Sequence, residues 1–271
     1  MAKIIAFANQ KGGVGKTTSC VNLCAALHRL GKAVLLVDGD PQGNASSGMG
    51  VAKSTRPNTY DLLINDAKAE DCVVHTDYGD VIPTGKELAA ASVELIGREQ
   101  REYTLKNALK PLFADYDYIL IDCPPSLELL TVNALVAANS VLVPMQCEYY
   151  ALEGIADLVR SIKMCNRALN PSLGIEGIVM TMYDGRTKLS DQVVTEVRRF
   201  FGKKVYKTMI PRNVRLSEAP SHRKPAIAYD KESKGSRAYL HLASEMLKRE
   251  EKAAEKARKE KAKAEEADGK G

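Results

Sequence analysis

Nowhere among the 271 residues is there a run of eighteen or more apolar side chains, so no segment reads as a membrane-spanning helix. The opening stretch, Met1 to Ala8, is apolar but short, is interrupted by Lys3 and runs directly into polar residues, which is not the layout of a secretory leader. A C-x-x-C pair is also missing: Cys20, Cys24, Cys72, Cys123, Cys147 and Cys165 are scattered as reduced thiols are in cytosolic proteins. His28, His75, His222 and His241 share no metal-like spacing. These absences set aside a membrane anchor, a disulfide framework and a zinc site, and they lead us to expect a cytoplasmic protein. Cys20 and Cys24 stand four apart on one helical face and are expected to pack against a sheet.

With 45% hydrophobic and 27% charged residues, the chain can bury a substantial core. The net charge is only +5, but Arg186 to Leu247 holds 14 Lys and Arg against 6 Asp and Glu, so one region is strongly basic and a polyanion such as nucleic acid becomes a candidate partner. Beyond Leu247 no apolar residue larger than Ala occurs. The segment 248–271 therefore reads as a charged tail, a helical extension or disordered, following a domain over 1–247.

Continuous apolar runs at Lys3 to Ala8, Ala33 to Asp38, Tyr118 to Asp122, Ser140 to Met145 and Gly177 to Met182 read as strands buried on both faces. They alternate with helical stretches at Thr17 to Leu30, Arg101 to Phe113, Glu128 to Ala138, Glu153 to Leu169 and Ser190 to Phe201. That alternation predicts an α/β fold, a doubly wound, mostly parallel sheet flanked by helices. Gly43 to Thr59, rich in Gly, Asn, Ser and Pro, reads as a mobile loop. Tyr149 and Tyr150 are expected to line the helix that follows them.

Between the first strand and first helix lies Gln10-Lys11-Gly12-Gly13-Val14-Gly15-Lys16-Thr17-Thr18. Glycines there let successive backbone N–H groups turn toward a phosphate, and the helix N-terminus adds its positive dipole end. Lys16 would reach the β- and γ-phosphates of a nucleotide and Thr17 would place its hydroxyl on Mg²⁺. Gln10 stands where the usual G-x-x-x-x-G-K-[ST] motif has its first Gly, and Lys11 adds a second positive charge. After the second strand, Asp38-Gly39-Asp40-Pro41-Gln42-Gly43 brings carboxylates to the ligand-binding edge of such a sheet, with Asp40 placed to orient the attacking water and Asp38 to order the loop. The strand Ile119-Leu120-Ile121 ends in Asp122, the usual second carrier of Mg²⁺ in phosphate-loop ATPases, so Thr17, Asp40 and Asp122 are the metal-side residues. Cys123 lacks the companions that an iron–sulfur cluster needs and reads as a buried thiol.

The deviant loop K-G-G-V-G-K-T-T resembles that of the ParA/MinD family of ATPases, the deviant Walker A class of P-loop NTPases. The D-x-D-P-Q-G segment, Thr181 to Thr187, and Met209 to Pro220 resemble its ParA/Soj branch of chromosomal or plasmid partition ATPases, and the likeness spans Met1 to about Leu247. The resemblance implies ATP and Mg²⁺, with Lys11, Lys16 and Asp40 catalytic, Lys11 reaching across a homodimer to the partner's nucleotide, and Pro211 and Asn213 contacting the base beside the loop Lys11 to Thr18. It implies non-specific DNA binding on the nucleoid, weak ATPase activity and stimulation by a ParB-like centromere-binding protein. From the basic surplus, Arg186, Lys188, Arg215 and Arg223, with Lys203, Lys204 and Lys224, are the expected DNA contacts. No further N-terminal DNA-binding domain precedes the first strand, so operator-specific repression is not expected. The alternative, a MinD-like membrane-associated positioning ATPase, requires large apolar residues on one face of a C-terminal helix, which the tail does not offer. A tyrosine kinase on the same loop would carry a tyrosine-rich tail, and this tail has none.

Overall fold

Strands covered on both faces must be apolar on both faces, and each central strand here divides its side chains between two cores. Ile4, Ala6, Leu35, Val37, Ile119 and Ile121 point into one; Ile5, Phe7, Val34, Leu36 and Leu120 point into the other. The computed structural model describes residues 1–148 and 151–268; Tyr149, Tyr150 and the last three residues of the tail lie outside them. Among the described residues, β1 (Lys3–Phe7), β2 (Val34–Asp38), β3 (Asp80–Ile82), β4 (Tyr118–Asp122), β5 (Ser140–Gln146) and β6 (Gly174–Thr181) form one sheet in the order β3-β2-β4-β1-β5-β6. Every pairing within it is parallel. β3 has only three residues, too short to give a periodic signal, and is absent from the sequence reading.

The core that holds Ile5, Phe7, Val34, Leu36 and Leu120 is covered by α1 (Lys16–Arg29) and α2 (Asn44–Gly48). The opposite core is covered by α3 (Thr59–Ile64), α4 (Ala69–Cys72), α5 (Leu88–Glu94), α6 (Thr104–Leu109), α7 (Leu129–Ala137), α8 (Ala151–Ala168) and α9 (Lys188–Phe201). The chain then returns to the face of α1 with α10 (Val214–Glu218), α11 (Ala226–Tyr229) and α12 (Lys234–Asp268). Cys20 and Cys24 are fully buried on α1, and all six cysteines are free and buried. α12 lies along α1, where the Ser19 and Tyr239 hydroxyls share a 3.0 Å hydrogen bond. It then continues past Leu247 as a helix whose residues 251–260 are all exposed.

Two expectations are corrected. Gly43 to Thr59 is not simply a loop: α2 lies within it, with Ala45 and Met49 buried, because Ser46 binds the Asp38 carboxylate through both its backbone N–H (2.7 Å) and its hydroxyl (2.6 Å). Arg101 to Phe113 is not one helix either. α6 stops at Leu109 and a 3-10 turn follows, because Pro111 has no N–H to continue an α-helical ladder.

Candidate active site

β1 delivers the chain to a turn that ends at Gly15, where α1 begins. Gly13 (φ 74°) and Gly15 (φ 87°) occupy left-handed backbone, which a side chain would strain. α1 starts with no side-chain cap and no acid in its first turn, so its first N–H groups and its dipole are left for an anion. The loop is fastened from two sides. The Thr181 hydroxyl, at the end of β6, donates to the Val14 carbonyl (2.8 Å). The Asn9 amide donates to the Pro144 carbonyl (2.8 Å) while its oxygen accepts from the Lys11 N–H (3.1 Å). Lys16 is buried beneath the turn, its Nζ donating to the Lys11 carbonyl (3.2 Å). Burial lowers its pKa, while the charges of Asp122, Cys123 and Asp40 oppose that fall. Asn9 carries no motif signal and the sequence reading missed it; Thr181 opens a segment that resembles the family, but its hold on the loop depends on the fold and was not foreseen.

Register places the acids. Asp38 pairs with Asp122 across β2 and β4, and Asp122 pairs with Phe7 across β4 and β1, so both carboxylates stand at the carboxyl edge beside the loop. Gly39 permits the close approach: its N–H donates to the Asp122 carbonyl (3.0 Å), and a Cβ there would lie 2.8 Å from that oxygen. Asp38 is held by Ser46 and by the Asp40 N–H (3.3 Å), but complete burial still pushes its pKa up to about 6. Asp40 is largely buried and its Oδ1 accepts from the Gln42 N–H (3.0 Å), which aims the carboxylate in a tight Asp-Pro-Gln turn.

Asp122 is the unusual group. Both of its oxygens are buried without a hydrogen-bond partner among the described residues. Burial, followed by the neighbouring Asp38 charge, raises its pKa well above the ordinary carboxylate value. Thr17 and Lys16 pull the other way, though Thr17 makes no hydrogen bond of good geometry to it. A buried, unpartnered carboxylate facing a hydroxyl and a lysine is a donor set suited to a hard cation. No three His, Cys, Asp or Glu side chains converge on a self-sufficient metal cluster among the described residues. Mg²⁺ usually keeps several waters and binds through one or two carboxylates together with phosphate oxygens. Cys123 follows, fully buried, with its thiol donating to the Ile121 carbonyl and its pKa pushed up by burial.

Lys11 is exposed on the loop and forms an ion pair with Glu148 of its own chain. Pro211 is bridged to Tyr183, and the Asn213 side-chain oxygen is buried without a partner. The residues expected on a DNA surface are not all brought together. Arg186 precedes α9, Lys188 opens it and Arg215 lies on α10, whereas Lys203 and Lys204 follow the far end of α9. Fourteen helical residues separate the two groups by roughly 20 Å. Arg186 is clasped by Asp184 (2.7 Å) and Arg215 by Glu218 (2.8 Å) and Asp230 (3.2 Å), while Arg223 and Lys224 are exposed beyond the following turn.

A family model described as an AAA domain matches residues 2–175. The chain is 55% identical over 249 residues to the sporulation initiation inhibitor protein Soj of Bacillus subtilis, covering 91% of this chain and 98% of that protein. It is 51% identical over 253 residues to the chromosome partitioning protein ParA of Myxococcus xanthus, covering 92% and 89%. Among solved structures, cobyrinic acid a,c-diamide synthase from Mycobacterium smegmatis with bound ADP and magnesium superposes with a TM-score of 0.80 at 38% identity, over 91% of this chain and 94% of that one. With the deviant phosphate loop, the two strand-end acids and the all-parallel sheet already in place, these matches show that the chain belongs to the ParA/Soj family of chromosome-partitioning ATPases.

Proposed function

We propose that this chain is an ATP-driven DNA-partition switch: ATP binding closes a sandwich homodimer that binds DNA without sequence preference, and hydrolysis stimulated by a ParB-like protein releases it. The observation that carries the reading is the convergence of Lys16, Thr17, Asp40 and the unpartnered Asp122 at one helix N-terminus. The backbone N–H groups of the loop Lys11 to Thr18 and the Lys16 ammonium bind the phosphates. Magnesium, when bound, supplies charge neutralisation to the β- and γ-phosphate oxygens. Thr17 and Asp122 would hold it, with Asp40 beside them, and Asp40 orients the attacking water. Asn213 offers a free acceptor for the amino group of adenine, with Pro211 against the base. Lys11 crosses to the partner's nucleotide, which requires release of Glu148. The bound ADP and magnesium of the Mycobacterium smegmatis relative support the cofactor assignment. A membrane-positioning role has less support, because α12 past Leu247 carries no large apolar residue.

The test is calorimetry with ATP and magnesium, sedimentation of the resulting species and DNA binding across a salt series. No heat of binding and no ATP-dependent dimer would overturn the reading. The Lys11–Glu148 pair is about half exposed, so breaking it costs little, about 0–1 kcal/mol. Glu148→Gln is therefore expected to strengthen ATP-dependent dimerisation by up to about fivefold, measured by sedimentation equilibrium. Reversing charge at Arg186 together with Arg215 is expected to weaken ATP-dependent DNA binding and to reduce its log–log salt slope by about 2, one contact each. An unchanged slope would displace the DNA surface from these residues.

A further inference from the structure

After α9 the chain comes back alongside β6 as an irregular run from Val205 to Asn213, and its hydrogen bonds decide where Asn213 stands. The Tyr206 N–H donates to the Ile178 carbonyl (2.9 Å) and the Ile210 N–H to the Met180 carbonyl (2.8 Å). In a regular parallel ladder both strands advance two residues between such bonds. Here β6 advances two while the returning run advances four, so Lys207 and Thr208 are looped out of the pairing. Pairing then resumes. The Tyr183 N–H donates to the Ile210 carbonyl and the Arg212 N–H to the Tyr183 carbonyl (both 3.0 Å), which sets Pro211 opposite Tyr183 and Asn213 two residues beyond it.

One side chain captures both looped-out N–H groups. Glu245 of α12 accepts from the Lys207 N–H (2.9 Å) on one carboxylate oxygen, and from the Thr208 N–H (2.9 Å) and hydroxyl (2.8 Å) on the other. Arg249, one helical turn on, holds the same carboxylate at 2.7 Å and donates to the Lys203 and Val205 carbonyls (3.1 and 2.8 Å), with its guanidinium 4.0 Å from the centre of the Tyr206 ring. Burial pushes the Glu245 carboxyl up, but the Lys207, Thr208 and Arg249 donors outweigh it and hold its pKa below the ordinary value. The post that carries this clamp is itself fixed, because Tyr239 of α12 is bonded to Ser19 of α1 and Glu250 takes Lys3 at the start of β1 (2.7 Å). Register is what the clamp protects: were Thr208 to take the Met180 carbonyl, the run would slip by two residues and Asn213 would move by roughly 7 Å.

We infer that Glu245, steadied by Arg249, is a positioning residue for recognition of the nucleotide base: by clamping the two-residue loop it fixes the register that brings Asn213 to the base. The inference rests on the assignment of Asn213 to the adenine amino group made above, and it names the residue that gives that contact its place. Adenine carries an amino donor where guanine carries a carbonyl acceptor, so an acceptor held still at that point favours adenine, and one free to move loses the distinction. The phosphate loop is fastened elsewhere, by Thr181 and through Asn9 to Pro144. Releasing the clamp therefore leaves the phosphate site and Asp40 in place, and the cost falls on affinity and base choice.

The experiment is calorimetry of the full chain with ATP and with GTP, each with magnesium, beside steady-state KM and kcat, for the natural chain and the Glu245→Gln, Thr208→Val and Asn213→Ala variants. Glu245→Gln keeps the shape, but its amide nitrogen cannot accept, so one of the two looped-out N–H groups faces a donor. Its Kd and KM for ATP should rise about five- to tenfold, the worth of one hydrogen bond, with Kd for GTP within about twofold and kcat at saturating ATP within about twofold. The preference for ATP over GTP should fall by that same five- to tenfold. Thr208→Val, which removes only the hydroxyl bond, should lower the preference by about two- to threefold and decides the matter if Glu245→Gln folds poorly. A merely structural role would weaken ATP and GTP alike, so an unchanged ratio in both variants, or an equal fall in kcat with the two nucleotides, overturns the inference. If Asn213→Ala lowers the preference and Glu245→Gln does not, the positioning role falls and the base contact stands. If Asn213→Ala keeps the natural preference, the base contact falls and takes this inference with it.

Discussion

Asp40→Ala protein supplied with ATP and magnesium is expected to hold nucleotide without turning it over, with kcat reduced by about 10²–10⁴-fold, the range for a positioned acid–base group. Asp40 contributes little to the fold that would confuse the result. Among the described residues its side chain accepts one hydrogen bond, from the Gln42 N–H, and the buried scaffolding role belongs to Asp38, which binds Ser46. Phosphate release in the steady state measures the chemical loss. If hydrolysis is what releases the dimer, the same protein should accumulate on DNA with ATP present, and DNA retention should outlast that of the natural chain. Turnover within a few-fold of normal would remove Asp40 from the chemistry, and Asp38 or a water held elsewhere would have to be considered instead.

What the sequence disclosed, and what it hid, follows from the range of each interaction. The central strands were legible because burial on both faces leaves an unbroken apolar run, and the phosphate loop was legible because its chemistry is local: glycines, two lysines and two threonines within eight residues. Even Pro144 within β5 is accommodated, because the β1 pairing stops at Leu142 and the space beyond is filled by Asn9, whose amide binds the Pro144 carbonyl. The hidden parts all depend on distant partners. α2 forms because Ser46 answers Asp38, eight residues earlier. Thr181 steadies Val14 from 167 residues away. Lys203 and Lys204 looked continuous with Arg186 in the sequence, but α9 carries them to the other end of the sheet. Charge counting finds a basic region; only topology divides it into two surfaces.

The other large effect concerns stability. A buried carboxylate without a partner lowers the stability of the nucleotide-free fold, and Asp122 is such a group. Asp122→Asn removes the ionisable group at nearly constant shape, so the nucleotide-free variant is expected to be more stable at pH 7.5 by about 1–3 kcal/mol. For a chain of this size that corresponds to a rise in Tm of roughly 2–10 °C. The sign with pH follows from linkage. An acid whose folded pKa is raised binds more protons when folded than when unfolded, so stability is greatest below its unfolded pKa, near 4, and falls as pH rises. Asp38, pushed up to about 6, contributes loss over roughly pH 4 to 6, and Asp122 extends that loss to higher pH. The natural chain should therefore lose stability with rising pH more steeply than Asp122→Asn, whose curve retains only the Asp38 part. ATP with magnesium should reverse the order, because the cation gives Asp122 the opposite charge it lacks: the natural chain gains several degrees and the variant gains little. Thermal melts at four pH values, with and without ATP and magnesium, read both effects together. A variant no more stable than the natural chain, and equally stabilised by nucleotide, would mean that this carboxylate neither costs the empty fold anything nor holds the metal in the filled one.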